Sequence, residues 1–439
     1  MIDTNIFSGL KALYHTFGCK LNFAETSTIA SQLAERGVRR VSGGEMPDLV
    51  VVNTCSVTEE ADKKCRQAIR SYYKRYPEAA IIVTGCYAQL KSDEVSSLPG
   101  VVVVAGAEHK ADLLTFIDHY INERAPIKAV SEWRDITTFR PSCSRGDRTR
   151  YFLKVQDGCD YWCTYCTIPM ARGRSRSGTI EQLVTQAEEA AAAGGREIVI
   201  TGVNIGDFGK GREDNFLDLI RELDKVEGIL RYRISSIEPN LLTDEIIDFC
   251  AGSRAFMPHF HIPLQSGNDE VLRLMHRHYD TALFASKIER IRTSIPDAFI
   301  GVDLIVGARG ETAERYAASR AFIEGLDISR LHVFPYSERP GTRALDLDCA
   351  VEPKEKHRRT NEMLRLSEAK WAEFASRYVG TVRPVLMEHP HADKPMAGFT
   401  DNYLRVEVGN APTSTDNTIV NVHIDSVNPE TETLIGRMV

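Results

Sequence analysis

The sequence predicts an α/β protein in three parts: an N-terminal doubly wound parallel sheet, a central partial (βα)6 barrel and a small C-terminal antiparallel β-barrel. Three observations carry this. Short apolar runs rich in β-branched residues alternate with helical stretches twice along the chain. A polar stretch bearing Pro141 and Gly146 separates the two series. Beyond Val379 the helical signal stops, leaving short Val- and Thr-rich alternating segments and turn residues.

In the first series, residues 12–17, 49–52, 80–83 and 101–105 read as strands, with helices over 25–36 and 59–76 between them. A cysteine follows each of the first three strands: Cys19 in Gly18-Cys19-Lys20-Leu21-Asn22, Cys55 in Asn53-Thr54-Cys55-Ser56-Val57-Thr58, and Cys86 in Thr84-Gly85-Cys86-Tyr87. Parallel strands point one way, so the three thiols are expected on the carboxyl edge, where α/β sheets place their sites. Each also stands near the start of a helix, where backbone N–H groups favour a thiolate. Three thiolates converging from three strand ends make a candidate cluster site.

The stretch 133–150 reads as a linker, and the second series places strands at 151–155, 197–201, 231–235, 260–262, 300–306 and 331–334. The functional end of such a barrel is the carboxyl mouth of its strands. Just past the first strand stands Cys159-x3-Cys163-x2-Cys166, in Gly158-Cys159-Asp160-Tyr161-Trp162-Cys163-Thr164-Tyr165-Cys166. Three thiolates in eight residues make a poor zinc site, since structural zinc takes four ligands. They suit a [4Fe–4S] cluster with one iron left open to chelate a substrate or cofactor. Glu238 follows the third strand, Gln265-Ser266-Gly267-Asn268 the fourth, and Gly301 to Gly307 form the fifth; a carboxylate at Glu238 is placed to hold ribose hydroxyls. Cys65, Cys143, Cys250 and Cys349 share no local pattern and read as structural. A charged helix over 354–376 leads into the last part. The expected domains are therefore 10–130, 145–375 and 376–439.

Composition fits an intracellular enzyme. The hydrophobic fraction of 43% supports sizeable cores, and the N-terminus has neither a basic region nor an apolar core. No run approaches the roughly 20 apolar residues that span a bilayer, so a cytoplasmic protein without membrane contact is expected. In a reducing compartment, clustered cysteines point to metal or catalysis. The net charge of −7 gives no global sign of nucleic-acid binding. Locally, residues 140–176 hold eight Lys or Arg against three Asp, and Arg172-Gly173-Arg174-Ser175-Arg176 directly follows the cysteine loop. That run is placed to hold RNA phosphates with a base splayed out.

With these motifs in view, the chain from about residue 10 onward resembles the methylthiotransferases, a radical S-adenosylmethionine family, down to the aromatic Tyr165 before the last loop cysteine. The sequences around Cys19 and Cys55, and Thr201-Gly202-Val203-Asn204-Ile205-Gly206, look most like the branch that modifies threonylcarbamoyladenosine beside the tRNA anticodon. The resemblance implies two [4Fe–4S] clusters, one on Cys159, Cys163 and Cys166 and one on Cys19, Cys55 and Cys86, the second carrying the sulfur. It further implies a C-terminal TRAM barrel, S-adenosylmethionine held near Tyr165, Glu238, Gln265 and Arg277, a tRNA anticodon stem-loop as partner, and an external electron donor and sulfur source. Two departures stand out. Residues 379–439 hold four Lys or Arg against eight Asp or Glu, whereas an RNA-binding barrel is expected to be basic. Ala308-Arg309 also stands where the family usually has Phe-Pro before Gly310-Glu311-Thr312. Three alternatives stay open: isopentenyladenosine in tRNA, an aspartate of a ribosomal protein, or a non-catalytic iron–sulfur protein that binds RNA or senses redox state.

Overall fold

The computed structural model describes residues 6–42, 44–144, 149–390 and 394–439. Arg145, Gly146, Asp147 and Arg148 of the linker and basic run, and Asp393 of the barrel, lie outside the described residues. The rest gathers into two compact units. The first takes its residues from Met1–Ser144, Phe152–Gly178 and Ser337–Thr342, the second from Arg145–Tyr151, Thr179–Tyr336 and Arg343–Val439.

In the first unit the chain runs β1 (Lys11–Thr16), α1 (Lys20–Glu35), β2 (Arg39–Arg40), β3 (Leu49–Thr54), α2 (Glu59–Arg75), β4 (Ala80–Gly85), α3 (Cys86–Leu90), α4 (Ser92–Ser96), β5 (Val101–Ala105), α5 (Leu113–Glu123) and β6 (Ile127–Ala129). The strands form one parallel sheet in the order β2-β1-β3-β4-β5-β6. All six residues of β3 are buried, because helices cover both faces of a parallel sheet and leave no side for polar residues. Val50, Val52, Ile81 and Val83 pack on one face with Ile69, while Leu49, Val51 and Ile82 pack on the other with Ile29 and Leu33. The short, partly exposed edge strands β2 and β6 escaped the sequence reading because neither carries an apolar run. Helix α1 begins at Lys20 rather than at residue 25, since Cys19 is extended (φ −88°, ψ 169°) and occupies its N-cap. The unit also holds β7 (Ser142–Cys143), paired antiparallel with the end of β8 (Arg150–Lys154), of which the unit takes the residues from Phe152 on, then β9 (Gln156–Asp157), α6 (Ile168–Arg172) and β10 (Arg176–Ser177).

The second unit continues with α7 (Ile180–Ala192), β11 (Glu197–Thr201), α8 (Phe216–Leu223), β12 (Arg231–Ile234), α9 (Asp244–Gly252), β13 (His259–Gln265), α10 (Asp269–Leu274), α11 (Thr281–Ser294), β14 (Phe299–Val306), α12 (Ala313–Gly325), β15 (Arg330–Pro335) and α13 (Pro353–Ser376). Strands β11 and β12 are parallel, β13, β14 and β15 are parallel, and single bridges Tyr232–Phe256 and Ser236–His261 join the two groups. The result is one parallel row of strands with helices between them. The chain ends in β16 (Val382–Met387), β17 (Met396–Thr400), β18 (Arg405–Val408), β19 (Ile419–Asn428) and β20 (Thr433–Met438), which close into a barrel in the order β16-β17-β18-β20-β19. It is antiparallel except where β18 runs parallel to β20.

The barrel is fastened to the parallel strands by buried arginines. Arg231 donates to the Phe399 and Pro384 carbonyls, both at 2.9 Å, and Arg233 to the Thr400 and Asp401 carbonyls at 2.8 and 2.7 Å. Glu197 on β11 balances Arg233 at 2.9 Å, with both side chains almost wholly buried. Part of the acidity of the barrel is met by arginines of the same unit: Asp401 pairs with Arg383, Glu388 with Arg150 and Glu432 with Arg330. Replacing Glu197 by Gln would leave two buried guanidinium groups undercompensated. Guanidinium unfolding of Glu197→Gln is expected to show a loss of about 3–5 kcal/mol relative to the parent chain.

Candidate active site

The three strand-end cysteines of the first unit are brought together by backbone that has room for nothing larger. Gly18 has φ +91°, and a Cβ there would stand 2.8 Å from the Cys55 sulfur. Gly85, at φ +100°, would place a Cβ 2.3 Å from the Thr54 carbonyl oxygen. Glycine is the residue that tolerates both the conformation and the close approach. Polar side chains then lace the loops to one another. Asn22 donates through Nδ2 to the Phe17 and Thr54 carbonyls at 2.7 and 3.1 Å, and Asn53 donates to the Asn22 carbonyl at 3.0 Å. The Thr54 hydroxyl donates to the Thr84 carbonyl at 2.5 Å and accepts from the Ala88 N–H at 3.2 Å.

Cys55 and Cys86 are buried and Cys19 is exposed. Burial, and then the proximity of Cys86 and Cys19, pushes the Cys55 thiol up to about 12. Cys55 therefore has both other thiols within electrostatic reach. An incoming metal must displace their protons, which makes loading proton-releasing. Cys65, read from sequence as structural, donates its thiol to the Cys55 carbonyl at 3.6 Å and so backs this loop. Sequence reasoning missed a second brace. Arg339, in Ser337–Thr342, donates to Ser56 Oγ at 2.8 Å and to Asp62 Oδ2 at 2.9 Å, and Ser56 donates to Asp62 at 2.6 Å. Nothing local to Ser-Glu-Arg-Pro-Gly-Thr signals it, because its partners lie 277 positions or more earlier in the chain.

The Cys159–Cys166 loop lies in the same unit. Its approach is fixed by the β9–β10 pairing, by Gln156 Nε2 donating to the Gly158 carbonyl at 2.7 Å, and by the Cys159 N–H donating to the Gly173 carbonyl at 3.1 Å. Gly158 has φ +69°, and a Cβ on it would run into the Arg174 carbonyl at 2.0 Å. Backbone N–H groups point at two of the sulfurs: Tyr161 at Cys159 and Ile168 at Cys166, both at 3.4 Å. Tyr165 is partly buried, and Trp162 packs edge-on against Trp133 at 4.9 Å. Among the described residues no three His, Cys, Asp or Glu close in tightly enough for a single metal ion. Three cysteines in a short loop, with N–H groups directed at their sulfurs, fit an iron–sulfur cluster, whose potential such hydrogen bonds tune.

Between the two cysteine sets lies a buried charge network that corrects the expectation for Arg172. That residue is 2% exposed. Its Nη1 donates to Glu25 at 3.1 Å and Asp157 at 3.0 Å, and its Nη2 to Asn22 Oδ1 at 2.5 Å and Glu25 at 3.3 Å. Burial disfavours the charge, yet Glu25, Asp157, Cys86 and Cys19 together hold its pKa well above the ordinary arginine value. Its fork is fully engaged inside the protein, so Arg172 is not a phosphate contact. Lys154 pairs with Glu25 at 2.9 Å and Asp157 at 2.6 Å, and Lys110 also pairs with Glu25. Arg176 is mostly turned inward, donating to the Arg172 carbonyl at 2.6 Å and to Asp157 at 3.3 Å. Among the described residues of the run, Arg174 and Arg140 are exposed. A cavity of about 260 Å³ opens beside the network, lined by Lys110, Arg140, Lys154 and Arg176 among others.

In the second unit Glu238 and Arg277, predicted separately, form an ion pair with each other. Arg277 Nε also donates to the Tyr279 hydroxyl at 3.0 Å, and that hydroxyl donates to the Pro263 and Leu264 carbonyls at 2.5 and 2.9 Å, anchoring the pair to the end of β13. Burial pushes the Glu238 carboxyl up, Arg277 pulls it back, and Asp303 and Asp207 add to the rise. Gln265 closes β13 at φ +66°, a left-handed conformation that costs a residue with a Cβ and turns the chain sharply. The loop with Ala308-Arg309 closes without the usual Phe-Pro: Glu311 accepts from the Gly307 N–H at 2.9 Å and pairs with Arg359 at 2.8 Å.

Glu25 and Asp157 are both held below the usual carboxylate range: burial acts to raise them, but the surrounding cations win, led by Arg172 at Glu25 and by Lys154 at Asp157. A carboxyl depressed in the folded state contributes stability above its unfolded pKa and loses it as pH falls through the folded value. The midpoint of thermal unfolding of the first unit is therefore expected to fall steadily as pH drops below about 4, the unfolded carboxylate range. In Arg172→Met, differential scanning calorimetry at neutral pH is expected to show a loss of about 3–5 kcal/mol, from two buried carboxylates that lose the cation they share and keep only their lysine and Arg176 partners.

Residues 11–106 match the family described as Uncharacterized protein family UPF0004, and residues 153–323 match the Radical SAM superfamily. The chain is 40% identical to the Threonylcarbamoyladenosine tRNA methylthiotransferase MtaB of Bacillus subtilis over 407 residues, covering 90% of this chain and 89% of that protein. It is 33% identical to the protein of the same name in Aquifex aeolicus, covering 91% and 96%. Among solved structures, the radical S-adenosylmethionine methyltransferase TsrM of Kitasatospora setae aligns with a TM-score of 0.56 at 16% identity, covering 88% of this chain and 82% of that one, a likeness of fold alone. Near-full-length identity at this level, on a chain that holds both cysteine sets in one compact unit, settles the kinship: the protein belongs to the MtaB-type methylthiotransferases of the radical S-adenosylmethionine superfamily.

Proposed function

We propose that the protein inserts a methylthio group at carbon 2 of N6-threonylcarbamoyladenosine beside the anticodon of tRNA, as a radical S-adenosylmethionine transferase. The observation that carries this reading is the presence of two three-cysteine sets in one unit, bridged by the Arg172 network. The superfamily match brings with it a [4Fe–4S] cluster and S-adenosylmethionine. Cys159, Cys163 and Cys166 would hold that cluster, and Cys19, Cys55 and Cys86 a second one bearing the sulfur to be transferred. When bound, these groups supply reductive cleavage of S-adenosylmethionine to a carbon radical able to attack an adenine C–H, together with the sulfur atom.

The residues of the chain then do the positioning. Gly158, Gln156 and the Gly173 carbonyl fix the radical-cluster loop, and Gly18, Asn22 and Thr54 fix the sulfur-cluster loops. Arg172 sets the geometry between the two groups through Asn22, Glu25 and Asp157, so that little reorganisation is left for the reaction. The Glu238–Arg277 pair, Gln265 and Tyr165 are the candidate cofactor contacts. Arg174 and Arg140 are the candidate RNA-phosphate contacts, since they keep their charges at the surface. An external electron donor and a sulfur source complete the reaction, and the reading places the protein in the cytoplasm with its tRNA. No helix among the described residues is long and apolar enough to cross a membrane. A basic protein substrate is not favoured, because Asp401, Glu388 and Glu432 of the barrel already have arginine partners.

The test is nucleoside mass spectrometry of tRNA after anaerobic incubation with reconstituted protein, S-adenosylmethionine, sulfide and dithionite. The 2-methylthio derivative is expected to appear as its threonylcarbamoyladenosine precursor falls. Cys159→Ala is expected to abolish both this product and 5′-deoxyadenosine. Cys55→Ala is expected to abolish the product while 5′-deoxyadenosine continues to form. Equal loss of both compounds in both variants would refute the division of labour.

A further inference from the structure

In the first unit, the stretch that reads as a linker closes a cavity that the proposed function leaves unassigned. The cavity holds about 260 Å³; residues 138–142 line one side of it, and α1 lines another through Glu25 and Gln32. The roof is pinned from below. The Glu108 carboxylate accepts from the Thr137 and Thr138 N–H groups at 3.0 and 3.2 Å and from the Thr138 hydroxyl, and Arg176 Nε donates to the Thr138 carbonyl at 2.9 Å. Ser142, at the far end of the roof, pairs with Lys154 between β7 and β8. The cavity is therefore a fixed part of the fold rather than a gap under a loose loop.

Its charges do not balance. Four lining residues are cations, Lys110, Arg140, Lys154 and Arg176, and two are anions, Glu25 and Asp157, which leaves a surplus of two positive charges. Counting Arg172 behind the lining and Glu108 beside the roof adds one charge of each sign and leaves that surplus unchanged. The side chains of Lys110, Lys154 and Arg176 are only 11%, 4% and 11% exposed, and buried charge without a counterpart is costly. Lys110 registers the imbalance: burial lowers its pKa, Glu25 opposes the fall, and Arg172 and Lys154 add to it. Hydrogen-bond donors are left over as well. Glu25 takes only one of the Lys110 N–H groups, and Arg140 and Gln32 have no hydrogen-bond or ion-pair partner among the described residues.

We propose that this cavity binds a small phosphate monoester, with Lys110, Arg140 and Lys154 holding the phosphate and Phe139 and Pro141 facing its organic part. The surplus of two charges matches a phosphate monoester dianion, whereas a carboxylate or a phosphodiester brings one. Cations arriving from separate segments suit a tetrahedral group whose oxygens point in several directions better than a flat carboxylate. Phe139 and Pro141 are half-buried and give one wall an apolar surface. The volume leaves room beside the phosphate for a small organic group, yet falls below the ~300–1,000 Å³ of pockets that hold larger ligands. The site is separate from the chemistry proposed above and stands whether or not that activity is found. An RNA backbone is the other source of a phosphate, and the measurement separates the two.

Isothermal titration calorimetry on the cluster-loaded protein compares ribose 5-phosphate, inorganic phosphate, ribose and an anticodon stem-loop. Ribose 5-phosphate is expected to bind with a Kd below about 1 mM and to raise the midpoint of thermal unfolding. Inorganic phosphate is expected to bind more weakly, and ribose not at all. Gln32→Glu keeps the shape of the side chain while placing a carboxylate in the lining. That variant is expected to weaken ribose 5-phosphate by about tenfold or more. It is also expected to melt above the parent when no ligand is present, because it supplies part of the missing charge itself. Ribose 5-phosphate that fails to bind the parent, or binds parent and Gln32→Glu within about twofold of each other, overturns the assignment. So does ribose binding as tightly as its phosphate. A stem-loop that loses affinity in Gln32→Glu, while ribose 5-phosphate leaves the parent's midpoint unmoved, overturns it too and gives the cavity to the RNA backbone.

Discussion

The Arg172 guanidinium is enclosed by Asn22, Glu25 and Asp157 within the charge field of Cys19 and Cys86, and the arrangement of the first unit depends on it. Glu25 belongs to the helix that starts at the first cysteine, and Asp157 to the strand that leads into the Cys159 loop. One cation therefore ties together the two segments that lead to the two cysteine sets. Lys110, Lys154 and Arg176 supply the remaining balance, so that two buried carboxylates face four cations. Such a network is a poor source of net stability, because desolvation offsets most of the attraction. What it does provide is a single permitted geometry. A permanent cation within reach of Cys19 and Cys86 also favours the anionic form of those thiols.

The parallel strands, the three strand-end cysteines and the loop cysteines were legible in the sequence because each depends on local pattern: β-branched runs, glycines before Cys19 and Cys86, and the spacing of Cys159, Cys163 and Cys166. The role of Arg172 was not. An arginine next to a basic run reads as solvated, and only the tertiary structure shows that Glu25 and Asp157 enclose it. Arg339 was illegible for the same reason. The pairing of Glu238 with Arg277 lay between these cases, since both residues were singled out but their contact crosses 39 positions. The acidic composition of the terminal barrel misled in the opposite direction. A tally of charges along the chain does not record that Arg150 and Arg330, which neutralise part of it, come from outside the barrel.

The second unit divides its labour by strand face. The helix-covered side of β13 to β15 is closed and apolar, which is how a parallel sheet obtains rigidity, while the opposite side grades from sealed aromatic rings through paired imidazoles to an exposed phenylalanine. That gradient runs toward the carboxyl ends of the strands.

The brace on the Cys55 loop has a consequence for synthesis. The sheet that carries Cys19, Cys55 and Cys86 is complete within the first third of the chain, yet Ser56 and Asp62 wait for Arg339, 277 positions after Asp62. At ribosomal rates of about 5–20 residues per second, that interval lasts on the order of tens of seconds. During it a buried carboxylate lacks its guanidinium partner and Cys55 lacks part of its support. The loop that carries Cys55 is thus not fully braced until most of the protein has left the ribosome, which ties its final geometry to nearly completed translation.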